Sequence, residues 1–140
     1  MIRSTLVLLL LLTGCAAGQT PGSSPPSPSK GDPVPVTVEK TGGFAGVTEK
    51  ITIDESGKWT KGQASGRLTV EKSQQLQELA ANPKLAAEAT QTRPQTQCRD
   101  AFEYSVTAGK TTVRYVDCST DGPLPETASK IVELVNEAIS

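Results

Sequence analysis

The 140-residue sequence contains no histidine. Without an imidazole, the chain cannot build a Ser-His-Asp or Cys-His catalytic arrangement, an HExxH zinc site or any other His-ligated metal centre. Carboxylate pairs remain as candidate catalytic groups, namely Asp54 with Glu55 and Asp117 with Asp121. Both pairs fall at predicted turns, where acidic residues are ordinary solvated surface. We therefore expect a protein that is not an enzyme and that uses no metal or cofactor.

Aromatic residues are also scarce, and the chain has no excess of positive charge. Aromatics make up 4% of the chain, and 14 Lys and Arg residues face 15 Asp and Glu residues, for a net charge of −1. Nucleic-acid-binding domains are usually strongly basic, and proteins that bind single strands stack the bases on aromatic side chains. We therefore do not expect a nucleic acid as partner.

The sequence has no long hydrophobic run. Its longest, Leu6 to Leu12, is too short for a membrane-spanning helix, which needs about 20 apolar residues. Because the run follows the positively charged Arg3, it is typical of a signal peptide. The next residues, Leu12-Thr13-Gly14-Cys15, resemble the lipobox of bacterial lipoprotein signal peptides. An ordinary secretory signal, cleaved near Ala16-Ala17, is the alternative.

The lipobox resemblance implies that Cys15 carries a diacylglyceryl group and that residues 1–14 are removed as a signal peptide. Two or more acyl chains hold a protein stably on a membrane. We therefore expect the chain to be anchored to the cell membrane through the lipid on Cys15, with its folded part on the extracytoplasmic side, at the cell surface or in the periplasm.

Residues 15–35 are predicted to be a tether. Six of the 10 prolines of the chain lie between Pro21 and Pro35, among glycines and serines. Such a segment cannot bury enough apolar surface to offset the entropy of ordering, so we expect it to stay extended. About 20 residues in a polyproline-like state reach roughly 60 Å, at ~3.1 Å per residue. A proline motif that binds a partner is the alternative.

Residues 36–140 are predicted to fold as one small α+β domain. Alternating apolar residues predict strands at Val36 to Val38 and at Val47 to Ile53, and a short third strand at residues 67–70. Helical spacing predicts a helix within Glu71 to Ala81, a second helical turn after Asn82-Pro83, and a terminal helix at residues 126–139. Alternation on both sides of Gly109 predicts a hairpin. We expect an antiparallel sheet of about four to five strands with two helices packed on one face.

The two remaining cysteines, Cys98 and Cys118, flank this hairpin almost symmetrically. Residues opposite each other on paired strands have Cβ atoms roughly 4.5–5.5 Å apart, which is close to the spacing of a disulfide. Because the outside of the membrane is oxidising, we predict a structural Cys98–Cys118 disulfide. A redox-active pair is the alternative, but the CxxC spacing that tunes thiol reactivity is missing.

A glycine-rich segment, Gly42-Gly43-Phe44-Ala45-Gly46, follows the first predicted strand. In one interpretation it is a simple turn whose Phe44 is buried in the core. In the other it is a loop that presents Phe44 or its backbone amides to a partner. As a phosphate-binding loop it is weak, because no Lys-Ser/Thr pair follows and it does not open a helix. We predict that Gly42, Gly43, Phe44, Ala45 and Gly46 belong to a partner-binding loop.

The strand and loop together, VTVEKTGGFAGV at residues 36–47, resemble the emfourin family of small bacterial proteins. The resemblance continues through Tyr104-Ser105-Val106 and through the terminal helix after Asp121-Gly122-Pro123. Emfourins are named for the inhibition of thermolysin-like metalloproteases of the protealysin type. The resemblance therefore implies a protease inhibitor whose partner is a secreted thermolysin-like metalloprotease. The lipobox, the tether and the Cys98 and Cys118 pair depart from the small soluble members of the family. The alternative function is a non-enzymatic envelope lipoprotein that binds a small ligand or another envelope protein.

Overall fold

A six-stranded antiparallel sheet forms the frame of residues 31–140, the part of the chain that the computed structural model describes. The predicted signal peptide, the lipidated Cys15 and most of the tether lie outside the described residues. The spatial order of the strands is β4-β3-β2-β1-β5-β6. Their bounds are β1 Val36–Gly42, β2 Val47–Ile53, β3 Lys58–Lys61, β4 Ala64–Arg67, β5 Phe102–Ala108 and β6 Thr111–Val116.

Strand β1 is one of the two central strands of the sheet, and its valines alternate with polar residues, which gives it one buried and one polar face. Val36 and Val38 point to the same face and are buried, and Val38 pairs with Ile51 on one side and with Val106 on the other. β-branched residues favour such a pleated surface. Every buried side chain of the sheet lies on this face.

Three helices cover that face: α1 Val70–Ala80, α2 Pro83–Ala89 and α3 Glu126–Ala138. The first two helices each follow a residue whose side chain caps the helix N-terminus. The Thr69 hydroxyl accepts a hydrogen bond from the Lys72 amide at 3.2 Å, and the Asn82 side chain accepts one from the Lys84 amide at 2.9 Å. The core joins sheet and helices through these buried residues: Val36, Val38, Ile51, Ile53, Leu68, Leu76, Leu85, Val106, Ala108, Val113, Tyr115, Ala128, Ile131, Val132 and Val135.

Helix α3 takes its cap from another helix. Its first residue follows Pro125, which offers no side-chain cap. Instead, the Glu88 carboxylate of α2 accepts hydrogen bonds from the backbone amides of Thr127, at 2.7 Å, and Ala128, at 3.0 Å. Glu88 is 7% exposed, so a buried carboxylate satisfies the free amides at the positive end of the helix dipole.

The α+β prediction is confirmed, but the third strand was placed wrongly. The structure has two short strands at residues 58–61 and 64–67, and α1 already begins at Val70. Gly66 makes the second of them possible, since a Cβ there would lie 2.6 Å from the Trp59 ring. The sheet therefore has six strands instead of four to five, and three helices pack on it instead of two.

The other face of the sheet is polar. One residue with a hydroxyl group occupies the same level in each of the six strands, and two of the neighbouring pairs are hydrogen-bonded. Thr52 and Thr60 are joined at 2.6 Å between their hydroxyl oxygens, and Thr107 and Thr112 at 3.0 Å. Such cross-strand threonine pairs stabilise neighbouring strands. In strand order from β4 to β6 the row is Ser65, Thr60, Thr52, Thr37, Thr107 and Thr112.

Candidate functional site

The loop between β1 and β2 carries the most exposed large apolar side chain among residues 31–140. Gly43 to Gly46 form a tight turn, closed by a hydrogen bond from the Gly46 amide to the Gly43 carbonyl at 3.1 Å. Phe44 stands at the tip and is 94% exposed. The interpretation of Phe44 as a buried core residue is therefore wrong, because the turn carries it beyond the edge of the core.

The two glycines before Phe44 are required by the packing at the base of the loop. Gly42 and Gly43 have positive φ angles of 92° and 72°. A Cβ on Gly42 would lie 2.8 Å from the Ala101 carbonyl oxygen, and one on Gly43 would lie 2.5 Å from a ring atom of Phe102. Only glycine tolerates both the backbone angle and the missing space.

Phe102 fixes the base of the loop from the neighbouring strand β5. Its ring contacts Gly43 and also lies under the Lys40 ammonium, which is 3.9 Å from the ring centroid. The Gly43 amide donates a hydrogen bond to the Ala101 carbonyl at 3.1 Å. The loop is thus held by its backbone and by a cation–π contact, while Phe44 takes no part in the packing. Sequence reasoning missed Lys40 and Phe102, since their roles arise from strand pairing.

Two further connections lie at the same end of the sheet. Gly42 pairs with Phe102 at the start of β5, and Glu103 pairs with Val116 at the end of β6. The segment before β5 and the segment after β6 therefore begin beside the loop. Cys98 and Cys118 join these two segments, with sulfur atoms 2.08 Å apart, at the length of a covalent S–S bond.

The chain enters the domain at the opposite end of the sheet. The Gln77 side chain holds the Val34 backbone by two hydrogen bonds, one from the Val34 amide and one to the Val34 carbonyl, both 2.9 Å. The Gly109 amide donates to the Pro35 carbonyl at 3.0 Å. Strand β1 then carries the chain roughly 20 Å, at ~3.3 Å per residue, before it reaches the loop. The Phe44 loop and the point of entry therefore lie at opposite ends of the domain.

The two candidate carboxylate pairs lie in connections between elements: Asp54 with Glu55 between β2 and β3, and Asp117 with Asp121 between β6 and α3. One Asp54 carboxylate oxygen accepts hydrogen bonds from the Ser56 hydroxyl at 2.7 Å, the Ser56 amide at 2.9 Å and the Lys58 amide at 3.0 Å. These bonds, the Ser56 hydroxyl first, lower the pKa of Asp54. They show that Asp54 stabilises the β2–β3 turn. Across residues 31–140, no cluster of three or more His, Cys, Asp or Glu residues is placed to hold a metal ion.

Within the same range, no helix has the length and apolar character that crossing a bilayer requires. Comparisons with known proteins add no family: no protein-family model matches the chain, and no curated protein is significantly similar to it. The function is therefore argued from the residues and their geometry.

Proposed function

We propose that the protein is a membrane-anchored inhibitor of a secreted thermolysin-like metalloprotease and that the β1–β2 loop contacts the enzyme. The observation that carries the proposal is the 94% exposure of Phe44 on a loop that packing holds in place. A fully buried phenylalanine side chain contributes about 1.5–3 kcal/mol relative to an exposed one. In the free domain Phe44 is exposed and this free energy is not gained. A partner with an apolar cleft gains it by burying the Phe44 side chain.

The construction of the loop favours binding over simple connection. Gly42, Gly43 and Phe102 set the backbone without using Phe44, so little conformational freedom remains to be lost on binding. An inhibitor of this kind needs a rigid scaffold and no catalytic group, which agrees with a chain that lacks histidine. A metalloprotease cleft that prefers bulky apolar residues would accommodate the Phe44 ring.

A stable complex requires more surface than one loop offers. A standard interface buries about 800 Å² on each partner. The two segments joined by Cys98 and Cys118 begin at the same end of the sheet and extend the surface around Phe44. This end lies opposite the point where the chain enters, so an anchored domain presents Phe44 away from its attachment.

The test is an inhibition assay with the full chain carrying Cys15→Ser, to keep it in solution, against a thermolysin-like protease. We expect inhibition, and we expect Phe44→Ala to weaken it by about 2 kcal/mol or more, which is roughly 30-fold in the inhibition constant. The melting temperature should not change, because Phe44 has no packing partners. Val70→Ala is the matched control: Val70 is 68% exposed at the start of α1 and should affect neither quantity.

Two outcomes contradict the proposal separately. If the chain that retains Phe44 does not inhibit the enzyme at all, the protein is not such an inhibitor. Binding to another envelope protein or to a small ligand then becomes the better hypothesis. If the chain inhibits but Phe44→Ala and Val70→Ala behave alike, the inhibitory surface lies elsewhere.

A further inference from the structure

A cavity of about 130 Å³ lies beside edge strand β6, apart from the Phe44 loop. Its walls come from the segment that follows α2, from β6 and from the connection between β6 and α3. The charged residues of its lining are two arginines, Arg93 and Arg114, and two acids, Glu103 and Asp121. The described structure gives no other role to Arg93 or Arg114, and the proposed inhibitory loop does not use them.

The guanidinium of Arg93 lacks adequate partners. Its Nε atom is buried and has no hydrogen-bond acceptor. Nη1 is 3.4 Å from the Pro123 carbonyl and Nη2 is 3.3 Å from the Gln91 side-chain oxygen, so both bonds are long. A buried donor without a partner is costly, and each such group in a native protein calls for an explanation.

Neighbouring carboxylates do not supply the missing acceptor. Glu103 and Asp121 line the same cavity, yet within residues 31–140 every ion pair closer than 4.0 Å uses a lysine and none uses an arginine. The cavity is thus lined by two guanidinium groups that form no ion pair with the described residues. A guanidinium binds a carboxylate through two parallel hydrogen bonds, which makes a carboxylate the matching ligand.

We propose that this cavity binds a carboxylate group presented by a partner polypeptide. Its volume of about 130 Å³ admits a carboxylate with the first carbons behind it. The acids Glu103 and Asp121 repel a doubly charged phosphate more strongly than a monoanion. Leu124 in the lining is 41% exposed and offers an apolar contact to the side chain next to the carboxylate.

Prolines and a disulfide restrict the backbone that forms the walls. Pro94 and Pro123 restrict the two connections, and Gly122 has a φ angle of 99°, which other residues rarely adopt. Cys118, just before the second connection, is joined to Cys98. A site that needs no reordering loses less entropy on binding.

The cavity lies near the loop but does not depend on it. Glu103 in its lining pairs with Thr41 of β1 and with Val116 of β6, so the lining lies one to two strand spacings, or roughly 5–10 Å, from the strand that carries the loop. One partner could therefore cover both. The site stands, however, whether or not the protein inhibits a protease.

The test is an NMR titration of the full chain carrying Cys15→Ser. It follows the chemical shift of the side-chain Nε–Hε signal of each arginine in a nitrogen–proton spectrum. The probes are N-acetyl-glycyl-leucine, its C-terminal amide, N-acetyl-aspartic acid amide and inorganic phosphate. We expect the Arg93 signal to move saturably with N-acetyl-glycyl-leucine or with the aspartate probe and to stay in place with the amide. Which carboxylate binds more tightly tells whether a chain terminus or an acidic side chain is preferred.

Two variants and one control complete the test. Arg93→Lys keeps the charge but removes the forked donors and should raise the half-saturating concentration at least tenfold, read in this variant from the Arg114 Nε–Hε signal. Arg114→Gln, read from the Arg93 signal, should raise it as well, while Arg67→Gln, on the opposite edge strand β4, should leave it unchanged. Equal shifts with the amide, tighter binding of phosphate, or unaltered binding by both cavity variants would each overturn the proposal. A dispersed amide spectrum shows that each variant has folded.

Discussion

The two phenylalanines of the chain have opposite environments at the same end of the sheet. Phe102 packs against Gly43 and under the Lys40 ammonium, whereas Phe44, at the tip of the loop, packs against nothing. Because Phe102 holds the loop, the stability of the fold does not depend on the Phe44 side chain. Phe44 is therefore available for binding, and replacing it tests binding without changing stability.

Two glycines of this loop allow packing and backbone strain to be separated. Gly43 and Gly46 both have positive φ angles, 72° and 62°. A Cβ on Gly43 would meet the Phe102 ring at 2.5 Å, while one on Gly46 would have open space around it. We expect Gly46→Ala to cost about 1 kcal/mol from the backbone alone, and Gly43→Ala to cost at least about 2 kcal/mol. Urea unfolding of the two variants measures the difference, and equal losses would contradict the role given to Phe102.

Tyr115 should make the domain sensitive to alkali. Burial raises the pKa of Tyr115 to about 12, from about 10 in an unfolded chain. Since the folded-state pKa is the higher one, the stabilisation of the neutral phenol is complete below pH 10 and is lost as the pH rises from 10 through 12. Urea midpoints measured from pH 8 to 12 should fall less steeply for Tyr115→Phe than for the unmodified chain. Tyr104→Phe, which retains Tyr115, should fall as steeply as the unmodified chain.

One buried carboxylate of α2 caps α3. Glu88 supplies the cap that Pro125 cannot give, through bonds of 2.7 and 3.0 Å to the first amides of α3. Glu88→Gln removes the negative charge and one of the two acceptor oxygens and should cost about 1–3 kcal/mol. Glu78→Gln, at an exposed position of α1, is the control and should change the unfolding free energy little. Equal effects of the two substitutions in urea unfolding would contradict the capping role.

The sequence predicts most of these elements, because their signals are periodic and local. Helix α1 was expected within residues 71–81 and occupies Val70–Ala80, and α3 was expected at 126–139 and occupies Glu126–Ala138. The sequence did not predict strands β3 and β4, because their inward-facing positions include Lys61 and Gly66, which break the apolar alternation. The cap from Glu88 has no local signal either, since its partners lie 39 and 40 residues further along the chain.

The candidate sites were predicted only in part. Three glycines around one phenylalanine mark a loop, but the exposure of Phe44 could not be predicted, because phenylalanine is usually buried. The exposed position follows from the tight turn at Gly43 to Gly46, which places Phe44 at its tip. Arg93 gave no sequence signal at all. Its position beside Pro123 depends on how the segment after α2 returns to the sheet.

Across the described domain, the point where the chain enters and the Phe44 loop are separated by the length of the sheet. Gln77 holds the entering chain at Val34, and the last turn of α3 lies near the start of α1, where Lys72 and Glu137 form an ion pair at 2.8 Å. Both ends of the described chain are therefore remote from the Phe44 loop. We expect this separation to leave the loop accessible to a soluble enzyme when the chain is anchored through Cys15.

The lipid anchor expected at Cys15 can be tested directly, because the acyl chains on this residue are the predicted link between the chain and the membrane. Cys15→Ser should therefore move the protein from the membrane fraction to the soluble fraction, measured by sedimentation and immunoblot. The control is the double variant Cys98→Ser and Cys118→Ser, which also replaces cysteines by serines but keeps the predicted lipidation site and should stay with the membrane. Retention of the Cys15→Ser chain would contradict the lipid anchor. Release of the double variant would instead show that the folded domain itself contributes to retention.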